Sequence, residues 1–385
     1  MGPLQGIKIV EFCGIGPGPM CAMLLADMGA TVLRVDRADP GDFGIKRPAR
    51  FKLTNRGRKS IALDLKSSED LALALELVDR ADAVMEGFRP GVAERLGFGP
   101  EECLKRNPRL VYGRMTGWGQ TGPLSRIAGH DLNYIAITGA ADAIGRQGQP
   151  PAPPLNLVGD FGGGSLYLAM GMLAALIEQQ RSGKGQVVDA AITEGTLSLM
   201  TAHFGQYAAG EVNLERGTNM LDSGAPFYDA YECADGRFVS VAAIENKFYR
   251  TMLGVLGLDP NELPVQMDRS GWPTLRKAIA ERIKTRTRDQ WCAAMEGLDA
   301  CFAPILTVEE VADHPHIKAR EAMVDIGGVM QPAPAPRFSR TVPETPSPPE
   351  EVGASAREAL HEWGIPAEAI TAWEKRQQGQ EGAQP

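Results

Sequence analysis

A chain of 385 residues is long for one domain and fits two or three. With 43% hydrophobic and 23% charged residues it has the composition of a globular protein with a sizeable core, not of a disordered chain. Forty Lys and Arg against forty-eight Asp and Glu give a formal charge of −8, which argues against a broad nucleic-acid surface but leaves room for a local cationic pocket. The segment 7–13, IKIVEFC, is β-branched and apolar and reads as a buried strand. The loop GIGPGP (14–19) follows, then helical spacing to about Gly29 and a second strand over 31–36, a βαβ opening. The pattern repeats with a strand at 60–65, a helix at 68–80, a strand at 83–86, a short helix near 91–96 and a strand at 110–115. Strands alternating with helices predict an α/β domain with a doubly wound parallel sheet. Further on, helices at 165–180 and 194–210 flank a strand at 186–190, and the polar stretch 211–226 suits a linker. Two strands near 228–244 meet at Asp235-Gly236, a hairpin signal, and helices dominate from there to about 320. The seven prolines of 331–349 mark an extended crossing segment. The final helices, near 354–363 and 366–376, are expected to pack back on the first domain.

No unbroken run of 18 apolar residues occurs, so no transmembrane helix and no membrane partner are expected. Glu11 interrupts the first apolar stretch, no basic segment precedes it, and the closing GAQP is not a peroxisomal tripeptide. The cytoplasm is therefore the expected compartment. The six cysteines (Cys13, Cys21, Cys103, Cys233, Cys292 and Cys301) form no CxxC pair and read as scattered buried thiols. His314 and His316 share an HPH turn with no third ligand, so no metal is expected. His203, on an apolar helix, reads as packed, and His361 as a solvated helix residue.

The glycines of GIGPGP suggest a dinucleotide fingerprint, but Pro19 stands where the third glycine belongs. Asp36 closes the second strand as an NAD site would want, yet Arg37 follows and suits a phosphate better. A tight turn or a site for another phosphorylated nucleotide both remain open. His130 sits in GHD between a Gly-Pro loop and an apolar helix, either as a packed loop histidine or as a proton carrier. Asp160, in GDFGGGS before a helix, is a simple helix cap or a functional acid. The four glycines around it (Gly159, Gly162, Gly163 and Gly164) argue for close approach of a ligand or another backbone. The fifteen methionines fall mostly on helical core spacing, with an acyl-binding surface as the other reading.

Several stretches taken together resemble one family. They are NRGRKSIALDLK (55–66), EGFRPG (86–91), TGWGQTGP (116–123), GHDLNY (129–134), NLVGDFGGGS (156–165), GKGQVVDAA (183–191), YECADGRFVSVAAIE (231–245) and APRFSRT (335–341). The chain is similar to the family III CoA-transferases (CaiB/BaiF-like), and within them to the α-methylacyl-CoA racemases. The resemblance spans nearly the whole chain. It is weakest over 38–54 and the last ten residues.

It implies a large Rossmann-like CoA-binding domain made of 1–210 and 325–385, a linker at 211–227 and a small α+β domain at 228–320. It also implies an interlocked homodimer. Carried over by motif, the CoA contacts fall on Arg37; on Leu63, Asp64, Leu65 and Lys66; on Gly87, Phe88 and Arg89; on Arg95; and on Gly129, His130, Asp131, Leu132, Asn133 and Tyr134. A polyanion needs such cations and backbone donors, although Lys and Arg also occur simply as solvated charges. Racemisation beside a thioester carbonyl needs two opposed acid/base groups. The resemblance assigns them to His130 and Asp160, with Glu245 orienting the histidine, in cis or from the partner chain; otherwise Glu245 is a solvated strand end. The enolate oxygen needs a backbone donor, for which the Asp160 N–H is a candidate. No redox or metal cofactor is required; the CoA moiety belongs to the acyl-CoA substrate. The alternative within the family is a CoA-transferase in which Asp160 carries the acyl group covalently. A non-catalytic acyl-CoA-binding protein would need no such triad.

Overall fold

The computed structural model describes residues 2–12, 14–38 and 47–381. Cys13 and the closing residues 382–385 lie outside them. The chain opens with β1 (Lys8–Phe12), α1 (Pro17–Asp27), β2 (Thr31–Arg37), β3 (Lys59–Leu63), α2 (Ser68–Asp79) and β4 (Ala83–Glu86). It continues with α3 (Val92–Leu96), α4 (Pro100–Arg106), β5 (Val111–Thr116) and α5 (Asp131–Ala136). After α6 (Ala140–Ala143) comes a wide-turned π-helical stretch, Leu157–Ser165, which runs into α7 (Leu166–Ser182), β6 (Gln186–Ala191) and α8 (Ile192–Leu199). Next are α9 (Thr201–Ala208), β7 (Tyr228–Glu232), β8 (Phe238–Ala242), α10 (Asn246–Leu256), α11 (Trp272–Ile283), α12 (Arg288–Met295) and β9 (Phe302–Ile305). The rest is α13 (Val308–Val311), α14 (Pro315–Ala319), β10 (Met323–Ile326), β11 (Val329–Pro332), α15 (Ala356–Glu362) and α16 (Ala367–Glu381).

These elements form two compact units. The first combines 1–138, 155–199 and 319–385; the second combines 139–154 and 200–318.

The first unit carries a six-stranded sheet in the order β3-β2-β1-β4-β5-β6, every pair parallel. This is the order of a doubly wound nucleotide-binding sheet, with its switch point between β1 and β4. Alternation along the strands builds a core on each face. Val10, Phe12, Leu33, Val35, Ile61, Val84 and Tyr112 face α2, α15 and α16, joined by Leu73, Leu77, Leu360, Trp363 and Trp373. Ile9, Val32, Ala83, Met85 and Val111 face α1 and α7, joined by Leu25, Leu168 and Met172. Each such side chain contributes roughly 1.5–3 kcal/mol on burial. The two C-terminal helices thus cover the sheet laid down by the N-terminal half. Arg56 ties the halves further, bonding Asp27 Oδ2 at 2.6 Å and the Pro332 carbonyl at 2.6 Å.

Where the sequence suggested one helix over 194–210, the chain breaks at Met200 between α8 and α9. Within the Leu157–Ser182 helical run an 18-residue window averages a hydropathy of 1.4, so by length and composition the run qualifies as a membrane-spanning helix. Counting unbroken apolar runs concealed this. In the structure 44% of that window is buried, and α7 packs on β5 and β6.

The second unit holds the antiparallel sheet β7-β8-β9, with Tyr228 opposite Ala242 in the hairpin that Asp235-Gly236 closes. Its core gathers Phe227, Val239, Leu253, Trp272, Leu275 and Trp291. Thr287 and Gln290 cap α12 reciprocally, each side chain accepting the other's N–H at 3.2 and 3.0 Å. On β7 Asp229 accepts from Arg146 at 2.8 Å and from Arg276.

Candidate active site

The carboxyl ends of parallel strands are where open α/β sheets bind ligands. Here the ends of β3, β2, β1 and β4 stand side by side. At about 4.8 Å per strand they span roughly 15 Å. Arg37 ends β2, Lys66 lies three residues past β3, Arg89 three past β4, and Arg95 sits on α3; all four are exposed. Cations on β2, just past β3 and β4, and on α3 therefore follow the carboxyl ends of neighbouring strands. Leu63 is in the core and Leu65 packs against it, so these two offer a ligand only backbone. Asp64 shapes the turn: its Oδ1 accepts the Lys66 N–H at 3.0 Å, while its own N–H goes to Asp70.

The β4 loop is held from below. Glu86, 2% exposed, accepts the Phe88 N–H at 2.6 Å and Arg114 Nε at 2.9 Å. The two terminal nitrogens of Arg114 reach Glu94 at 2.8 and 3.3 Å, on the same helix as Arg95. Burial pushes the Glu86 carboxyl up to about 7. Gly87 lies where the β1 and β4 loops meet: a Cβ on Gly14 would stand 3.9 Å from its Cα.

The GIGPGP loop takes Gly16 into φ +68, and a Cβ there would be 3.0 Å from Asp160 Oδ2. The first loop therefore runs against the Asp160 carboxylate at the switch point. Ser165 Oγ ties the loop to the π-helical stretch by donating to the Pro17 carbonyl at 2.8 Å. Gly163 and Gly164 let that stretch close on α8 and α1, because a Cβ at either would meet Thr196 Oγ1 at 2.5 Å or Pro17 Cβ at 3.0 Å. Asp160 is thus inside a helical segment, not a cap at its start.

His130, exposed, immediately precedes α5, and its N–H donates to Asn133 Oδ1 at 3.0 Å. Tyr134 stacks edge-on against Trp118 at 4.8 Å and donates its hydroxyl to the Gly129 carbonyl. Leu132 is 45% exposed. Asp131 turns inward, and its Oδ1 accepts the Asp160 N–H at 2.6 Å. That N–H, read from the sequence as an oxyanion donor, is thus already engaged. Asn156 Nδ2 donates to Asp160 Oδ2 at 3.3 Å, a contact visible in retrospect in the i, i+4 spacing. Burial raises the Asp160 pKa above the ordinary carboxylate value and Asp131 adds to the rise, against the Asn156 hydrogen bond and the His130 charge. The structure thus brings His130, Asp131, Tyr134, Asn156 and Asp160 together beside the β1 and β4 loops. Glu245 belongs to the other unit, exposed at the start of α10.

A carboxyl raised by burial, a histidine and a set of cations thus gather at the carboxyl ends of the strands. Comparison with known proteins agrees. The chain is 44% identical over 370 residues to the α-methylacyl-CoA racemase of Mus musculus, covering 95% of each chain. It is also 44% identical over 371 residues to that of Homo sapiens, again covering 95% of each. A solved CAIB/BAIF family protein from Brucella suis superposes with a TM-score of 0.81 at 27% identity, covering 94% of this chain and 99% of that one. The family model described as CoA-transferase family III matches residues 4–354, and the chain belongs to that family.

Proposed function

We propose that this protein is an α-methylacyl-CoA racemase, interconverting (R)- and (S)-2-methylacyl-CoA thioesters by 1,1-proton transfer through an enolate. The observation that carries the reading is 44% identity over 95% of the chain to two racemases. It is joined by a histidine and a desolvated carboxyl acting on each other at the switch point. Asp160 takes or returns the α-proton on one face of C2 and His130 on the other. A carboxyl raised by burial holds its proton closer to neutral pH, which suits an acid that must also act as a base. Glu245 orients the histidine, a role supported by the family resemblance. Arg37, Lys66, Arg89 and Arg95 bind the phosphates of CoA, and residues 63–66, 87–89 and 129–134 contribute to its cradle.

The assembly proposed is the interlocked homodimer of the family. In support, Leu166, Met170 and Ile177 lie on one face of α7 with more than half of each side exposed (54, 58 and 53%).

The test is incubation with either epimer in D₂O without an acceptor acid. Deuterium at C2 from both epimers, lost in Asp160→Ala, is the expected result. No exchange, with CoA passing instead to a free carboxylic acid, overturns the racemase and favours transfer through Asp160.

A further inference from the structure

Asp131 follows His130 in the chain and opens α5, so its position is fixed to that of the histidine. It is 7% exposed. Its Oδ1 accepts the Asp160 N–H at 2.6 Å, and its Oδ2 is buried with no hydrogen-bond partner among the described residues. Room for this carboxylate comes from Gly159, where a Cβ would stand 2.4 Å from Asp131 Oδ1. An asparagine in the same place would accept the same N–H without burying a charge. A clamp alone does not require the second carboxyl oxygen that is left over.

We propose that the side chain of Asp131 serves the reaction as a positioning residue, fixing the Asp160 peptide and setting a second buried carboxyl group beside that of Asp160. The inference rests on Asp160 as a proton carrier. The ionisable groups facing Asp160 are His130, Asp131 and Tyr134, and Arg89 acts on Tyr134. From α1 and α8 the segment meets uncharged Pro17, Ile192 and Thr196. Asp131 is therefore the one other carboxyl group acting on Asp160 among the described residues, and it opposes ionisation of Asp160.

The experiment is Asp131→Asn, read by ¹³C NMR titration of carboxyl-labelled aspartates and by kinetics. Loss of one resonance in Asp160→Asn assigns the Asp160 signal. The expected result is an Asp160 midpoint moved to lower pH, with kcat down roughly 10- to 100-fold and KM held within about twofold. An unchanged midpoint and wild-type kcat overturn the proposal. Should Asp131→Asn not fold, Gly159→Ala presses on the same carboxylate from the other side. It is expected to lower kcat at steady KM, and wild-type kcat in a folded Gly159→Ala overturns the role. Wild-type epimerisation by Asp160→Asn would remove Asp160 from the chemistry while leaving the midpoint comparison readable, so the two failures are distinguishable.

Discussion

The substitution Glu86→Gln tests the support beneath the β4 loop. One guanidinium, Arg114, serves both Glu86 and Glu94, and the partly exposed Glu94 is the one held below its ordinary value. Desolvation dominates at Glu86 and lifts it from 4.5 to about 7. A carboxyl raised in the folded state stabilises fully below its unfolded pKa, and that contribution is lost as pH rises through the folded value. At 1.36 kcal/mol per unit, the wild type loses about 3 kcal/mol of stability from this group between roughly pH 4.5 and 7. Glutamine imitates the protonated form at every pH. Thermal unfolding at fixed protein concentration from pH 5 to 8 should show variant and wild type matched at the acid end and the variant the more stable at pH 8. A difference that does not change with pH would refute the argument.

Three further outcomes are expected. Gly16→Ala places a methyl group 3.0 Å from Asp160 Oδ2 at φ +68, costing roughly 1–2 kcal/mol of backbone strain and most of the epimerase activity; wild-type turnover would separate the first loop from the site. Trp363→Ala empties a 2%-exposed position between sheet and C-terminal helices and should destabilise the first unit by roughly 3–5 kcal/mol in calorimetry. A loss below about 1 kcal/mol would mean that those helices pack loosely. Arg37→Ala and Arg89→Ala should each weaken CoA binding by roughly 1.5–3 kcal/mol in isothermal titration, and unchanged affinity removes that residue from the cradle.

Much of this architecture was legible in periodicity. The strand at 83–86 appears at those residues, and the hairpin at Asp235-Gly236 closes as its turn chemistry demands. The hidden parts share a cause: long-range packing decided them. Gly162, Gly163 and Gly164 have poor helix propensity, yet they lie in the π-helical stretch because α1 and α8 press against it where no side chain fits. The hairpin of β10 and β11 escaped notice because its strands have four residues each, beside a proline-rich tract. Asp131 was legible as part of a ligand-binding motif but not as a buried acceptor, since burial of a carboxylate depends on a partner 29 residues away. The family resemblance added what composition does not carry: the pairing of a histidine with a distant aspartate.

The discontinuous first unit has a consequence for biosynthesis. Arg56 meets Gln331 275 residues later, and Phe12, Val35 and Val84 await Leu360 and Trp363 for cover. At about 5–20 residues per second, the ribosome needs tens of seconds to deliver that cover. Throughout that interval the nascent sheet presents an open apolar face while the second unit, complete by residue 318, is free to fold ahead of it. The order of synthesis thus inverts the order of completion. The half of the chain that is made first is the last to be closed.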